Sequence, residues 1–288
     1  SLIHLFYGEV TNNCCGFSNR CAIIDFRVQL MLIGSFGLRL IITIFIIEEV
    51  FGNMNEIINA LYQRKSVRVF TDAPITDEDK KLILTSAIQA PSAGCQLLYT
   101  ILDITDQTKK DRLADLCDHQ AFIAAGQMVL IFCADCQKWD AFYKEAGISP
   151  RCPGAGDLLL AVEHAMIAAQ NAVVAAESLG IGSCYIGDIL ERCEVHRSLL
   201  QLPEYVMPVA MLVFGYPTQQ QKERQQPGRC QLRHIVHENS YRRMDAAELE
   251  EMLCWKAGEQ DYKEWMQRFC DRKYNTDFSL EMTRSVEA

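Results

Sequence analysis

Arg64, Ser66 and Arg68 stand at alternate positions in the run Arg64-Lys65-Ser66-Val67-Arg68. On an extended backbone, alternate side chains point to one side. With Lys65, the run gathers three cations and a hydroxyl donor within five residues. Guanidinium groups offer forked, charge-assisted donors, so the pattern suits a phosphate monoester. A solvated basic turn ahead of Asp72 is the plainer reading of the same residues, because charged side chains mostly sit at the surface.

Three further stretches expose backbone that a ligand can approach. Pro91-Ser92-Ala93-Gly94-Cys95-Gln96 is a small polar loop after a helical pattern, and alone it reads as a helix stop. Gly180-Ile181-Gly182-Ser183-Cys184-Tyr185-Ile186-Gly187-Asp188 is a second glycine cluster. It is not a dinucleotide fingerprint: GxGxxG from Gly180 would need glycine where Tyr185 stands, and the cluster follows a helix instead of a strand. Alone it reads as a helix C-cap leading into a strand. Gly215-Tyr216-Pro217 closes an apolar run, and a loop with Lys222, Arg224 and Arg229 follows.

Other chemistries find little support. Cys133-Ala134-Asp135-Cys136 is a CxxC, but a structural zinc site needs a second ligand pair, and Cys117 and Cys152 lack that spacing. His234 and His237 fall on different faces of a helix or strand. Neither a GxSxG elbow nor a P-loop occurs. The expectation is no metal.

The elements that must position these residues follow from periodicity. Residues 54–63 have apolar side chains at helical spacing, and 64–70 turn extended. Thr76 is placed to cap a helix that stops at Pro91. Strands are predicted over 98–104, 128–134, 181–186 and 206–214, with Pro208 a blemish in the last. The longest helix spans about 157–179 and ends at Gly180. Its stripe of Leu158, Val162, Ala165, Ala169, Ala172, Val173 and Ala176 lets another backbone approach, placing the helix at the centre or at a subunit interface. Two helices follow over 245–256 and 261–273, then a polar tail. Mixed helices and strands without a Gly- or Ser-rich linker give one α+β or α/β domain.

The 288 residues carry a net charge of −9 and are 49% hydrophobic and 23% charged. That balance excludes a mainly disordered chain and a nucleic-acid binder that works by neutralising phosphates. Thirteen cysteines at irregular spacing, several inside apolar runs, fit a reduced, cytoplasmic chain better than a disulfide scaffold.

Residues 1–53 differ from the rest: they hold no Lys and no Pro and end in the apolar run 30–47. That run is long enough to span a bilayer, but Arg39 in its middle costs about 2.5–3.5 kcal/mol there. The expectation is a non-native leader or translated upstream region, with the functional unit opening at Met54; a membrane anchor is the alternative.

In this order, the basic RxSxR, PSAG, GxGSxYIGD and GYP with a basic loop resemble the nitroreductase family of flavin mononucleotide (FMN) enzymes, over about residues 54–244. The branch it looks most like is that of NAD(P)H-dependent nitroreductases and flavin reductases with a C-terminal helical extension, here 245–288. The resemblance implies a three-layer α+β sandwich around a mostly antiparallel sheet, working as an intertwined homodimer with FMN at the interface. Arg64, Lys65 and Ser66 would grip the FMN phosphate and ribityl chain, with Arg68 near the phosphate or the pyrimidine edge. Pro91, Ser92, Ala93 and Cys95 would lie along the flavin, often from the partner subunit. Gln120 would meet the flavin's polar edge, and Tyr185, Ile186, Gly187 and Asp188 would lie over the ring. Arg229 matches a second phosphate position, with Lys222 and Arg224 beside it.

Two positions depart from the pattern: the family usually has Asn where Cys95 stands and often Gln where Leu97 stands. A thiol is a weak donor and acceptor, so one flavin hydrogen bond is altered. The implied activity is hydride transfer from NADH or NADPH through the flavin to nitroaromatic, quinone or flavin acceptors in a ping-pong cycle. The alternatives are a flavin-binding protein without turnover, or a membrane-anchored flavin reductase if 30–47 is an anchor.

Overall fold

The computed structural model describes residues 55–288; the leader 1–53, its apolar run 30–47 and the start at Met54 lie outside the described residues. The described chain divides into two compact units, one of Glu56–Gln226 with Thr276–Ala288, the other holding Pro227–Asn275.

In the first unit four strands, β1 (Tyr99–Asp103), β2 (Met128–Asp135), β3 (Gly182–Ile186) and β4 (Val206–Gly215), pair antiparallel in the order β1-β2-β4-β3. Strand β2, MVLIFCAD, is buried at every position. Such continuous apolar character arises when both faces of a sheet are covered. Met128, Leu130, Phe132 and Ala134 enter one core, and Val129, Ile131 and Cys133 enter another on the opposite face. Cys133 and Cys136 of the CxxC therefore belong to different cores. Pro208 is accommodated in β4 because it pairs with Cys133 where the register shifts; a bulge tolerates the missing N–H.

The helices of this unit are α1 (Glu56–Gln63), α2 (Asp77–Ile88), α3 (Gln107–Leu116), α4 (Ala121–Ala124), α5 (Gln137–Glu145), α6 (Ala155–Ser178), α7 (Cys193–Leu200) and α8 (Gln219–Glu223). The Thr76 hydroxyl caps α2 by accepting from the Asp79 N–H at 3.0 Å. On α6, Ala161, Ala165, Ala168, Ala169, Ala172 and Ala176 are fully buried against α2 and the sheet. The small residues thus serve close approach to the chain's own sheet. The large apolar side chains that α6 leaves exposed are Leu159, Met166 and Ile167, which share a face with the exposed Glu163 and Gln170.

In the second unit lie α9 (Ala246–Ala257), opened by an Asp245–Glu248 capping box, and α10 (Tyr262–Lys273). The tail expected to be merely polar instead forms α11 (Asp277–Glu287), which belongs to the first unit. Its apolar stripe is short, Phe278 and Met282 being half-buried four residues apart, and polar contacts tie it to α7. The Ser285 hydroxyl accepts from the Cys193 N–H at 2.9 Å and Glu281 from the Arg192 N–H at 3.1 Å. Arg284 donates to both oxygens of Glu194 at 2.8 and 3.0 Å. These contacts cap α7, whose own N-cap Arg192 is left-handed and supplies no side-chain bond.

Candidate functional site

The basic segment runs beside the edge strand β3. The Val67 N–H donates to the Ser183 carbonyl at 2.9 Å, Ser66 bridges Ser183, and Thr71 N–H donates to Tyr216 O at 2.8 Å. Burial does not follow a strict alternation: Arg64, Lys65 and Ser66 are half-buried, Val67 is buried, and Arg68 and Val69 are both exposed. Two glycines make room for the segment. A Cβ on Gly182 would stand 2.6 Å from Val67 Cγ2, and one on Gly215 would stand 2.7 Å from the Phe70 ring. Gly182 and Gly215 are therefore packing devices that seat the basic segment on the sheet.

Its side chains divide into two jobs. Lys65 Nζ donates to the Lys222 and Arg224 carbonyls, at 2.6 Å each. Arg224 donates to the Ser66 carbonyl, and Gln226 Nε2 to the Arg64 carbonyl at 2.7 Å. The Gln221 side chain, nearly buried, accepts from the Arg68 N–H at 3.4 Å. Lys65 is thus spent largely on strapping the loop after α8 to the segment. Arg64 is placed differently: its guanidinium lies 5.8 Å over the Tyr185 ring, and its buried Nε has no partner. Glu177 lies beside it; burial pushes that carboxyl's pKa up, against the pull of Arg64 and Lys65. Arg68 lies 5.9 Å over the Phe122 ring.

Gln120 and Asp188 come together. The Gln120 amide donates to the Asp188 carboxylate and, at 2.9 Å, to Cys117 O. Both its donors are engaged, which leaves Oε1 as an acceptor. Tyr185 is half-buried and donates to Gln170 Oε1 at 3.3 Å; burial pushes its phenol pKa up to about 12. Ile186 points into the core, so only its backbone is available, whereas Gly187 is exposed with open space where a Cβ would be.

The turn from Pro91 to Gln96 is held from below by helices that do not carry the basic segment. Ala93 N–H donates to His164 Nε2 of α6 at 2.9 Å, and Trp139 Nε1 of α5 donates to Gln96 O at 2.7 Å. Within the turn, Leu97 N–H donates to the Ser92 hydroxyl at 3.2 Å. Gly94, Cys95 and Leu97 have φ of +57°, +53° and +48°. Left-handed backbone favours Gly and Asn over other residues, a physical reason for the Asn expected at position 95. Among the described residues, these hydrogen bonds tie the turn to α5 and α6 and none to residues 64–68.

Arg229 lies in the second unit, exposed, donating to Pro227 O and Gly228 O at 2.9 and 3.1 Å. His164, Glu177, Gln221 and Trp139 were not singled out from the sequence. His164 had one signal: a polar ring in an otherwise small, apolar helical stripe.

The arrangement fits a bound phosphate monoester such as that of FMN. Arg64 Nε is a buried cationic donor without an acceptor, and buried polar atoms in folded chains are normally satisfied. An anionic oxygen beside Arg64, Ser66 and Arg68 would supply that acceptor, in a chain whose net charge of −9 otherwise disfavours anions.

Comparison with known proteins shows the family. The model of the Nitroreductase family matches residues 61–216, over half of the chain. An "Oxygen-insensitive NADPH nitroreductase" of Salmonella typhimurium is 33% identical over 192 residues, 67% of this chain and 77% of that protein. The structure of B. megaterium NfrA2 is similar with a TM-score of 0.70 at 31% identity, covering 81% of this chain and 97% of that one. The NADPH:FMN oxidoreductase of Vibrio harveyi, solved in complex with NAD+, matches with a TM-score of 0.63 at 27% identity, over 81% of this chain and 92% of that one. With its two-faced antiparallel sheet and its basic segment seated on β3, the chain belongs to the nitroreductase family.

Proposed function

We propose that the chain is an FMN-dependent oxidoreductase that takes hydride from NADPH or NADH and passes it to an electron-poor acceptor, a nitroaromatic, a quinone or free flavin. The observation that carries this reading is the unpartnered Arg64 Nε on the basic segment; the relatives named for NADPH nitroreductase and NADPH:FMN oxidoreductase activity support the chemistry. When bound, FMN supplies the hydride-carrying ring, and the protein needs no nucleophile of its own.

Arg64, Ser66 and Arg68 hold the phosphate and the adjoining chain, and Lys65 keeps the segment in place through the 222 and 224 carbonyls. Gln120, oriented by Asp188, presents Oε1 to an N–H of the ring's polar edge. Tyr185, Gly187 and the backbone of Ile186 border the ring.

The turn from Pro91 to Cys95 reaches the flavin of the partner subunit in a homodimer. The exposed Leu159, Met166 and Ile167 of α6 and Ile57, Leu61 and Tyr62 of α1 supply apolar surface for that association. The ten described cysteines are unpaired, and burial pushes the Cys117 and Cys133 thiols up to about 12; inert thiols of this kind support a reduced, cytoplasmic setting. The leader 1–53 is outside the functional unit on this reading, which spans 54–244 with the extension 245–288.

The test is an acceptor screen on FMN-loaded protein, following NADPH and NADH oxidation. Turnover with at least one nitroaromatic, quinone or flavin, with parallel double-reciprocal lines, is expected. Bound FMN without oxidation of either nucleotide would leave a flavin-binding protein and remove the enzyme.

A further inference from the structure

His164 stands beneath the turn from Pro91 to Gln96 and faces both of its ends. It is 3% exposed, and Ala93 N–H donates to Nε2 at 2.9 Å while Leu98 N–H faces Nδ1 at 3.4 Å. An uncharged imidazole has one lone pair to accept with, and the shorter contact assigns it to Nε2. An imidazolium has two N–H donors and no acceptor, so charging the ring sets donors against donors at both ends of the turn. Gly94 and Cys95 in it and Leu97 just after it are left-handed, and besides its own Cys95–Ser92 and Gln96–Ala93 backbone bonds it is tied by the Trp139–Gln96 and Ser92–Leu97 bonds.

We propose that His164 is a positioning residue for flavin binding: its neutral ring pins the turn, and the turn keeps its ligand-facing shape only while the ring is uncharged. This rests on the reading that the turn lines the flavin. The groups around the ring agree with it. Burial lowers the His164 pKa, against the opposing pull of Glu163 on the same helix. The turn brings Cys95; β1 brings Tyr99, whose phenol burial keeps protonated. From α5, Lys138 is bound to the Tyr99 carbonyl at 2.6 Å. A ring whose folded pKa lies below its unfolded value contributes fully above the unfolded value, and that contribution falls as pH drops below it.

The test compares wild type with His164→Gln and His164→Leu. Gln places Oε1 near the position of Nε2 and cannot be protonated at these pH values. FMN dissociation constants are measured by flavin fluorescence near neutrality and at mildly acid pH, with circular dichroism to establish folding. Between about pH 7.5 and about pH 5, the wild-type constant is expected to rise about tenfold more than that of His164→Gln, the size of one buried hydrogen bond. His164→Leu is expected to bind weakly at both pH values; if it does not fold, the comparison of wild type with Gln decides. An equal acid loss in wild type and Gln would overturn the proposal. Amide resonances of Gly94 and Cys95 report separately on the underlying reading. If FMN shifts them while the acid losses are equal, the turn lines the flavin and His164 does not position it. If FMN leaves them unmoved, the placement of the turn is wrong, and the proposal falls with it.

Discussion

Arg64 and Lys65 are adjacent cations with opposite employments, and this could not be read from their spacing. Lys65 spends its ammonium on two backbone carbonyls, whereas Arg64 keeps a buried donor open. Replacing Arg64 with Met should weaken FMN binding by about 10- to 100-fold, the worth of a charge-assisted hydrogen bond. Equilibrium titration of the apoprotein checks it. Lys65→Met should instead lower stability first, by about 1–2 kcal/mol, because it leaves two carbonyls without a donor; urea melts without flavin report this. Cys95 shows why a family pattern can carry physics the eye misses: its φ of +53° is what Asn tolerates and other side chains resist. Cys95→Asn should stabilise the apoprotein by about 0.5–1 kcal/mol, and Cys95→Val should do the reverse by at least as much.

At the scale of elements, the strand pattern, the Thr76 cap and the long helix were legible because each rests on local periodicity or a single capping bond. The purpose of the glycines was not, because it depends on what lies opposite. Gly182→Ala should cost about 1–3 kcal/mol by overpacking and should weaken FMN binding, since the added carbon meets Val67 Cγ2 at 2.6 Å. Adding Val67→Ala should recover part of both losses, a coupling that a double-mutant cycle reads directly. Helix α11 has only a short apolar stripe, Phe278 and Met282, and its polar partners on α7 are distant in sequence, so a local pattern does not show it. Truncation after Asn275 should destabilise the chain by about 1–2 kcal/mol through the uncapped α7, measurable by thermal melting. Arg284 holds the Glu194 carboxyl down to about 2. A carboxylate with a lowered folded pKa contributes fully above its unfolded value and loses that contribution as pH falls through the folded one. The gap in stability between full-length and truncated chains should therefore persist at pH 5 and narrow toward pH 2.

For the whole molecule, the alanine stripe of α6 admitted two destinations, and burial chooses between them: Ala169 and Ala172 are fully covered by the chain's own core. Leu at both positions should overpack that core by about 1–3 kcal/mol each. Glu at Met166 and Ile167 should dissociate the proposed dimer and weaken FMN binding with little change in monomer folding, as sedimentation and flavin titration would show. The acidic composition that argues against a nucleic-acid binder is uneven in space, since Arg64, Lys65, Arg68 and Arg224 cluster on one edge of the sheet in a chain of net charge −9. The central claim is that this edge holds FMN for hydride transfer from a reduced nicotinamide. Rapid mixing of the FMN-loaded protein with NADPH, and separately NADH, under nitrogen tests it most directly. The account expects the flavin's visible absorbance to bleach with at least one donor and to return when a quinone is added; a flavin that stays oxidised with both would contradict it.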